Sequence, residues 1–370
     1  MSGYLYQPIY FITIGLICYL TSARFALSGG YSLQANTGKS QTVPLILCIL
    51  VVFFLGFRPV SPAFGDMATY AYTYEHNISL NAEYFSQFDR EWAWEFLGVV
   101  CKSLGLGVHL YFTIIEAIYV FAVFWAVKKF FPTHLLVGTL FVLSSLMFFS
   151  FGVNGLRNGI ACHLVLLAIA YFLESRYIIS LFIAIIALGF HLSVLLPVVA
   201  LLGASLVFRN FYMALVIWVI CIIVSLVVGN LFGELLATFG LDDRLSVYSQ
   251  SEEYKDLFSI TGYRWDFLIY SAPPVVLGWY ILIKKKIVDY CYSILCITYF
   301  LCNAFWILIN RNAFSNRFAY LSWFLYPVVV AYPLLNMPVK RSQDRTIGVV
   351  LAIYCTFTLF MVGVVWGFQQ

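Results

Sequence analysis

Four arginines, Arg58, Arg157, Arg264 and Arg317, stand at the edges of long apolar runs in a chain that carries few charges. A guanidinium is a planar fork of N–H donors that matches phosphate oxygens two at a time and keeps its charge at any working pH. Three of the four, Arg157, Arg264 and Arg317, open apolar stretches that read as helices ending near residues 173, 283 and 335. A cation at a helix N-terminus opposes the macrodipole, so the arrangement is unfavourable unless an anion sits close by. Helix N-termini themselves bind phosphate. With Asn154, Asn310 and Asn316 beside the arginines as further donors, the chemistry that fits is recognition of a phosphate or pyrophosphate at membrane depth. Taken singly, each arginine also fits a side chain snorkelling to lipid headgroups. The two accounts separate on Arg→Lys, which snorkelling tolerates and a planar fork does not.

The elements that must hold these residues are read from composition. Of 370 residues, 62% are hydrophobic and 10% charged, with mean hydropathy +0.91, whereas soluble chains are about a quarter charged. Runs at 108–127, 211–229, 265–283, 318–335 and 347–366 approach or exceed the ~18–20 apolar residues that cross a bilayer. The fold class is therefore an all-α polytopic integral membrane protein, and the whole chain, 1–370, reads as one transmembrane helical domain. The N-terminus has no basic stretch before its first apolar run and no small-residue cleavage site after it, so 9–20 reads as part of a retained helix. Nine cysteines sit mostly singly in apolar runs, which implies small core residues and neither a disulfide framework nor zinc. A net charge of +4 is too small to imply a nucleic acid partner.

Charge placement orients the chain. Basic clusters at Lys128/Lys129, Arg209, Lys284/Lys285/Lys286 and Lys340/Arg341/Arg345 should face the cytoplasm. Reading 177–207 as a single helix would put the three lysines outside. A pair of short helices turning near His191 removes the conflict, and a run of about 30 residues is longer than one crossing requires. About 11–12 membrane-embedded helices result, with both termini outside and two larger external loops at about 58–107 and 230–264. Residues 91–104 read as a short amphipathic or re-entrant helix within the first loop. All four arginines then fall on the external side, which the positive-inside bias should leave poor in them.

Several stretches resemble a known family. FGDMATYAYTY after Arg58, NGLRNGIA at 154–161, LGFHLSVLLP at 188–197, GYRWDFLIYSAPP at 262–274 and NAFSNRFAYLSWFLYP at 312–327 are similar, in order and topology, to the blocks of EpsG-like and Wzy-type polysaccharide (O-antigen) polymerases. The resemblance implies a GT-C-like membrane glycosyltransferase of the bacterial inner membrane with its active face periplasmic, serving O-antigen and lipopolysaccharide synthesis. It implies transfer of a growing glycan from undecaprenyl pyrophosphate to the non-reducing end of a lipid-linked repeat unit. Partners that follow are the undecaprenyl-pyrophosphate-linked oligosaccharide, membrane lipids, a chain-length regulator and a flippase.

Such a reaction assigns roles. The leaving group is a pyrophosphate, so the demand is stabilisation of its charge. Arg157, Arg264 and Arg317, with Arg58, are the candidates; no metal and no other cofactor is expected. The acceptor hydroxyl needs a base, for which His191 and Asp66 are candidates, with Asp266 as a third. Asp66, Tyr70 and Tyr74 fall at i, i+4 and i+8 on one helix face, although an aspartate there also fits a helix N-cap. Asp89, Arg90 and Glu91 have the spacing of an acidic pair, and Asp242 and Asp243 lie in a polar loop that reads as a solvated cover. Tyr70, Tyr72, Tyr74, Trp92, Trp94, Trp265, Trp323 and Tyr320 are aromatic surfaces for sugar rings or members of an interfacial belt. Two other functions remain open at this point. An O-antigen ligase shares the pyrophosphate leaving group but usually carries a larger external domain. A transporter or flippase for an anionic lipid should show internal repeats and polar residues deep in the bilayer, and none is evident in the sequence.

Overall fold

Backbone groups inside lipid must be satisfied within the chain, and helices do this locally. The computed structural model describes residues 3–27, 41–80, 91–208, 210–229, 262–311, 315–337 and 343–365, and the described residues are helical with no strand. Eight helices are long and apolar enough to cross a membrane, and a ninth span results if one bent pair is counted as a single crossing. Shorter apolar helices at Thr42–Gly56, Tyr177–Phe190 and Leu192–Leu206 complete the set, in line with the expected polytopic all-α fold. Arg209, Asp89, Arg90, Asp242 and Asp243 lie outside the described residues.

Two compact units divide the chain, Met1–Val194 with Ala331–Gln370, and Leu195–Val330. In the first, α1 (Tyr6–Leu27) packs on the last helix, α16 (Gln343–Phe360), while α2 (Thr42–Gly56) packs on α5 (Val108–Phe130). α5 packs in turn on α8 (Leu156–Leu173), and α8 on α9 (Tyr177–Phe190). α9 leaves Ile178, Leu181, Phe182 and Ile185 exposed, a face suited to lipid. Between α5 and α8 lie α6 (Leu135–Leu143) and α7 (Leu146–Val153), bent by 67° to one another. Every residue of α6 except Leu136 is buried, and every residue of α7 except Ser150, the pattern of helices enclosed on all sides. The bend falls at Ser144 and Ser145, where the Ser144 hydroxyl donates back to the Leu140 carbonyl at 2.6 Å, a local competitor to the helical bond.

Short helices α3 (Met67–Tyr72) and α4 (Trp92–Ser103) lie in the segment read as the first external loop. α4 is the expected amphipathic helix. It docks on α9 at Gly189, where a Cβ would come within 2.6 Å of the Trp92 ring.

The second unit holds α10 (Leu195–Leu206), α11 (Phe211–Val228), α12 (Trp265–Gly278), α13 (Tyr290–Leu308) and α14 (Ser315–Trp323). The other four helices each pack on α13. Asn210 caps α11 through the Tyr212 N–H at 2.9 Å, and Asp289 caps α13 through the Tyr292 N–H at 2.7 Å. At the centre, Asn303 accepts from Trp218 Nε1 at 2.8 Å and donates to Ser271 Oγ and Ser322 Oγ, each at 3.0 Å. Trp323 Nε1 donates to the same Ser271 Oγ at 2.8 Å. Five side chains from four helices thus share one buried network. α15 (Tyr326–Asn336) carries the chain from the second unit back to the first.

Candidate functional site

His191 ends α9 in an extended conformation, φ −159° and ψ 123°, and Leu192–Val194 forms a single tight turn after it. The helix of the 177–207 run is interrupted here, which leaves the imidazole half-buried rather than inside a helix. Its Nδ1 is hydrogen-bonded to Glu91 Oε1, while Glu91 Oε2 is paired with Arg157 Nη1. The three side chains are 19–25% exposed, so the cluster is sheltered yet open to a substrate. An ionised carboxylate only accepts, so a neutral imidazole in this pair donates from Nδ1 and presents Nε2 as its acceptor.

Arg157 is the second residue of α8, as the sequence implied, and Glu91 provides an anion against the macrodipole. Tyr70 lies with its ring 5.5 Å from the Arg157 guanidinium and 5.2 Å from the Trp94 ring. Asp66 precedes α3 at the cap position but makes no side-chain cap bond; its backbone N–H donates to Asn154 Oδ1 at 3.0 Å. Gly65 makes this approach possible. Its φ is +63°, and a Cβ there would lie 2.4 Å from Asn154 Oδ1, so both backbone and space demand glycine. The first unit thus brings together Asp66, Tyr70, Asn154, Arg157 and His191 from the expected set, joined by Glu91.

Tyr74 is placed differently. α3 widens into a π-helical turn at Thr73–Asn77, and Tyr74 is 3% exposed, stacked on Tyr111 at 4.1 Å with its hydroxyl donating to the Leu106 carbonyl at 2.6 Å. Burial pushes that hydroxyl's pKa up. The shared face with Tyr70 ends where the helix widens, and Tyr74 packs. Arg58 is also fully buried, paired with Glu116 of α5 at 2.8 Å. Burial pushes its pKa down, against the pull of Glu116. The sequence reading of Arg58 as a phosphate contact missed this internal partner. A lone glutamate inside a 23-residue apolar helix was the available signal. Trp94 and Trp323 are buried, at 7% and 1% exposure, while Trp92 and Tyr72 remain exposed.

In the second unit Arg264 sits at the start of α12 and forks onto Asp266, Nε to Oδ1 at 2.9 Å and Nη2 to Oδ2 at 2.7 Å. The guanidinium lies 3.6 Å from the centre of the Phe267 ring. Its backbone N–H donates at 2.9 Å to Asn310 Oδ1, and Asn310 is fully buried. Asp266 therefore orients Arg264 and is held by it. Trp265 is 54% exposed, with the Tyr263 ring beside it at 4.5 Å, tilted by 47°. Arg317, the third residue of α14, is half-buried, as are Asn316 and Tyr320, which are 3.5 Å apart from Nδ2 to hydroxyl. The sequence reading passed over Arg311, whose guanidinium lies 5.4 Å from the Tyr263 ring.

No curated protein and no solved structure matches the chain. The sequence profile of the EpsG family matches residues 41–370, a range that takes in every motif quoted above. By that match the chain belongs to the EpsG family of Wzy-type, polysaccharide-polymerase-like membrane proteins.

Proposed function

We propose that the protein is a polysaccharide polymerase of the bacterial inner membrane, of the kind that makes O-antigen. It transfers a growing glycan from undecaprenyl pyrophosphate to the non-reducing end of a lipid-linked repeat unit on the periplasmic face. The observation that carries this reading is the bridge of Glu91 between His191 and Arg157: one carboxylate holds a base and a cation side by side. His191 Nε2 takes the proton from the acceptor hydroxyl as its oxygen bonds to the anomeric carbon of the donor sugar. The bond from that carbon to the pyrophosphate breaks, and undecaprenyl pyrophosphate leaves with the electron pair. Glu91 holds the imidazole in the tautomer that this requires and stabilises the imidazolium that forms. Arg157 faces the developing negative charge beside the first N–H groups of α8. For Arg264 and Arg317, carried by the second unit, the same anion chemistry is proposed. Tyr70 and Trp265 offer ring faces to sugars, with Asn154, Asn310, Asn316 and Tyr320 as polar contacts.

The periplasmic placement is supported by charge: the span Trp265–Lys284 begins next to Arg264 and ends in the lysine cluster, and Val108–Phe130 ends in Lys128 and Lys129. Fixed guanidinium groups do here what a divalent metal does in many transferases, so EDTA should leave turnover unchanged. Loss on EDTA with recovery on magnesium or manganese would overturn that part.

The test is complementation of a strain deleted for the gene, reading the surface polysaccharide ladder while confirming the protein in membranes. His191→Ala and Arg157→Lys should each collapse the ladder to a single repeat unit. An unchanged ladder for both variants would refute the assignment of the site.

A further inference from the structure

The first unit holds a second charged pair, Arg58 and Glu116, with both side chains 0% exposed. Arg58 Nη1 donates to Glu116 Oε1 at 2.8 Å and also to the Leu55 carbonyl. The Phe64 and Phe112 rings flank the guanidinium at 5.8 and 5.3 Å. Arg58 Nε, Arg58 Nη2 and Glu116 Oε2 have no hydrogen-bond partner among the described residues. A buried ion pair of this kind, only partly satisfied, gives less stability than two well-packed apolar side chains of the same volume. Its contribution is position.

The path of the chain shows what is positioned. Arg58 follows α2, and Glu116 projects from α5. Beyond Arg58, Ser61 Oγ accepts from the Ala63 N–H at 3.2 Å, and Phe64, against the guanidinium, is 2% exposed. Gly65 and the Asp66 N–H then meet Asn154, and α3 places the Tyr70 ring at Arg157. The contact at Tyr70 lies twelve residues beyond the clasp at Arg58.

We propose that the Arg58–Glu116 pair is a positioning clasp that pins the segment between α2 and α3 to α5, and thereby sets where Tyr70 and Asp66 meet Arg157 and Asn154. The consequence for turnover rests on the proposed reading of the Glu91 cluster; the clasp itself does not.

A substrate-independent reporter separates the two. A Cβ on Gly3 would lie 3.0 Å from the Ala63 Cβ, close to the ~3.5–4.5 Å that a disulfide spans, so Gly3→Cys with Ala63→Cys reports the seat of this segment. The full chain carrying these cysteines, in lipid nanodiscs, is oxidised mildly as the parent, as Glu116→Gln and as the double variant Arg58→Leu/Glu116→Leu. Cross-linking should slow at least fivefold in both variants, while the double variant melts at or above the parent because no lone charge is left buried. If Glu116→Gln does not fold, the double variant decides. Cross-linking of the folded double variant within fivefold of the parent would overturn the clasp. So would its failure to insert, which would make the pair a requirement of the fold itself. Turnover of a lipid-linked repeat unit should fall at least tenfold in the double variant. Parental turnover with the cross-link lost would sever the clasp from the site and leave the clasp standing.

Discussion

Arg157 and Arg264 each stand at the start of a span, yet their carboxylates come from different distances. Glu91 lies 66 residues before Arg157 and is shared with His191, whereas Asp266 lies two residues after Arg264 and takes both arms of its fork. The second arrangement is local: one edge of the guanidinium is matched by a carboxylate two residues on, and its face rests on Phe267. The first couples a cation to a base through a single group, so moving Glu91 disturbs both. The anion that an arginine at a helix start demands can thus be supplied by the chain in either way, and only the shared form links that anion to proton transfer.

This contrast can be broken most directly at Glu91. Glu91→Gln keeps the size of the side chain but removes the charge that fixes the His191 tautomer, and turnover should fall by about a hundredfold, the low end of general-base catalysis. Rate measurements on lipid-linked repeat units, with melting recorded alongside, check it. An unchanged melting temperature with lost turnover is expected.

The opposite signature is expected at the centre of the second unit. Asn303→Ala leaves Trp218 Nε1 without its acceptor, Ser322 Oγ without the Asn303 donor, and Ser271 Oγ with Trp323 Nε1 as its remaining donor in the network. Stability should drop by about 2 kcal/mol, by the usual cost of lost hydrogen bonds within a membrane bundle. Denaturation in mixed micelles measures it. The folded fraction should retain parental turnover per molecule.

Asp266→Asn sharpens the comparison with a smaller effect. An amide can still accept from Arg264, so turnover should fall by less than about tenfold, about 1.4 kcal/mol in barrier. A drop equal to that of Glu91→Gln would mean that the local pair also does chemistry. The same assay reads both.

The distance to each partner also explains what the sequence could reveal. Apolar runs need only counting, so the spans were legible, and so was the break at His191, because a run too long for one crossing must turn. α4 showed itself by being short and apolar yet carrying Glu91, Glu95 and Lys102. Asp266 was visible as a neighbour of Arg264 because a single residue separates them. Glu91 as the link between Arg157 and His191 was not, since its register is set by α4 docking against Gly189 of α9, a tertiary contact with no local signature. The same holds for Tyr74, which packs because Thr73–Asn77 widens the helix. It also holds for the bend between α6 and α7, which falls at a pair of serines between two apolar stretches. For Arg58 the sign of the charge was legible, but its partner lay on another helix.

The buried network around Asn303 bears on how the protein is made. Trp218, Ser271, Asn303 and Ser322 enter the membrane in that order, on α11, α12, α13 and α14. Until α14 arrives, Ser322 Oγ is missing as an acceptor for Asn303 Nδ2, and Ser271 Oγ lacks its donor Trp323. A chain halted before Ser315 therefore holds polar groups whose partners are still unsynthesised, an unfavourable condition in lipid. Completion of α14 closes the network in one step, so the second unit has its full set of buried polar partners only once its last helix is in place.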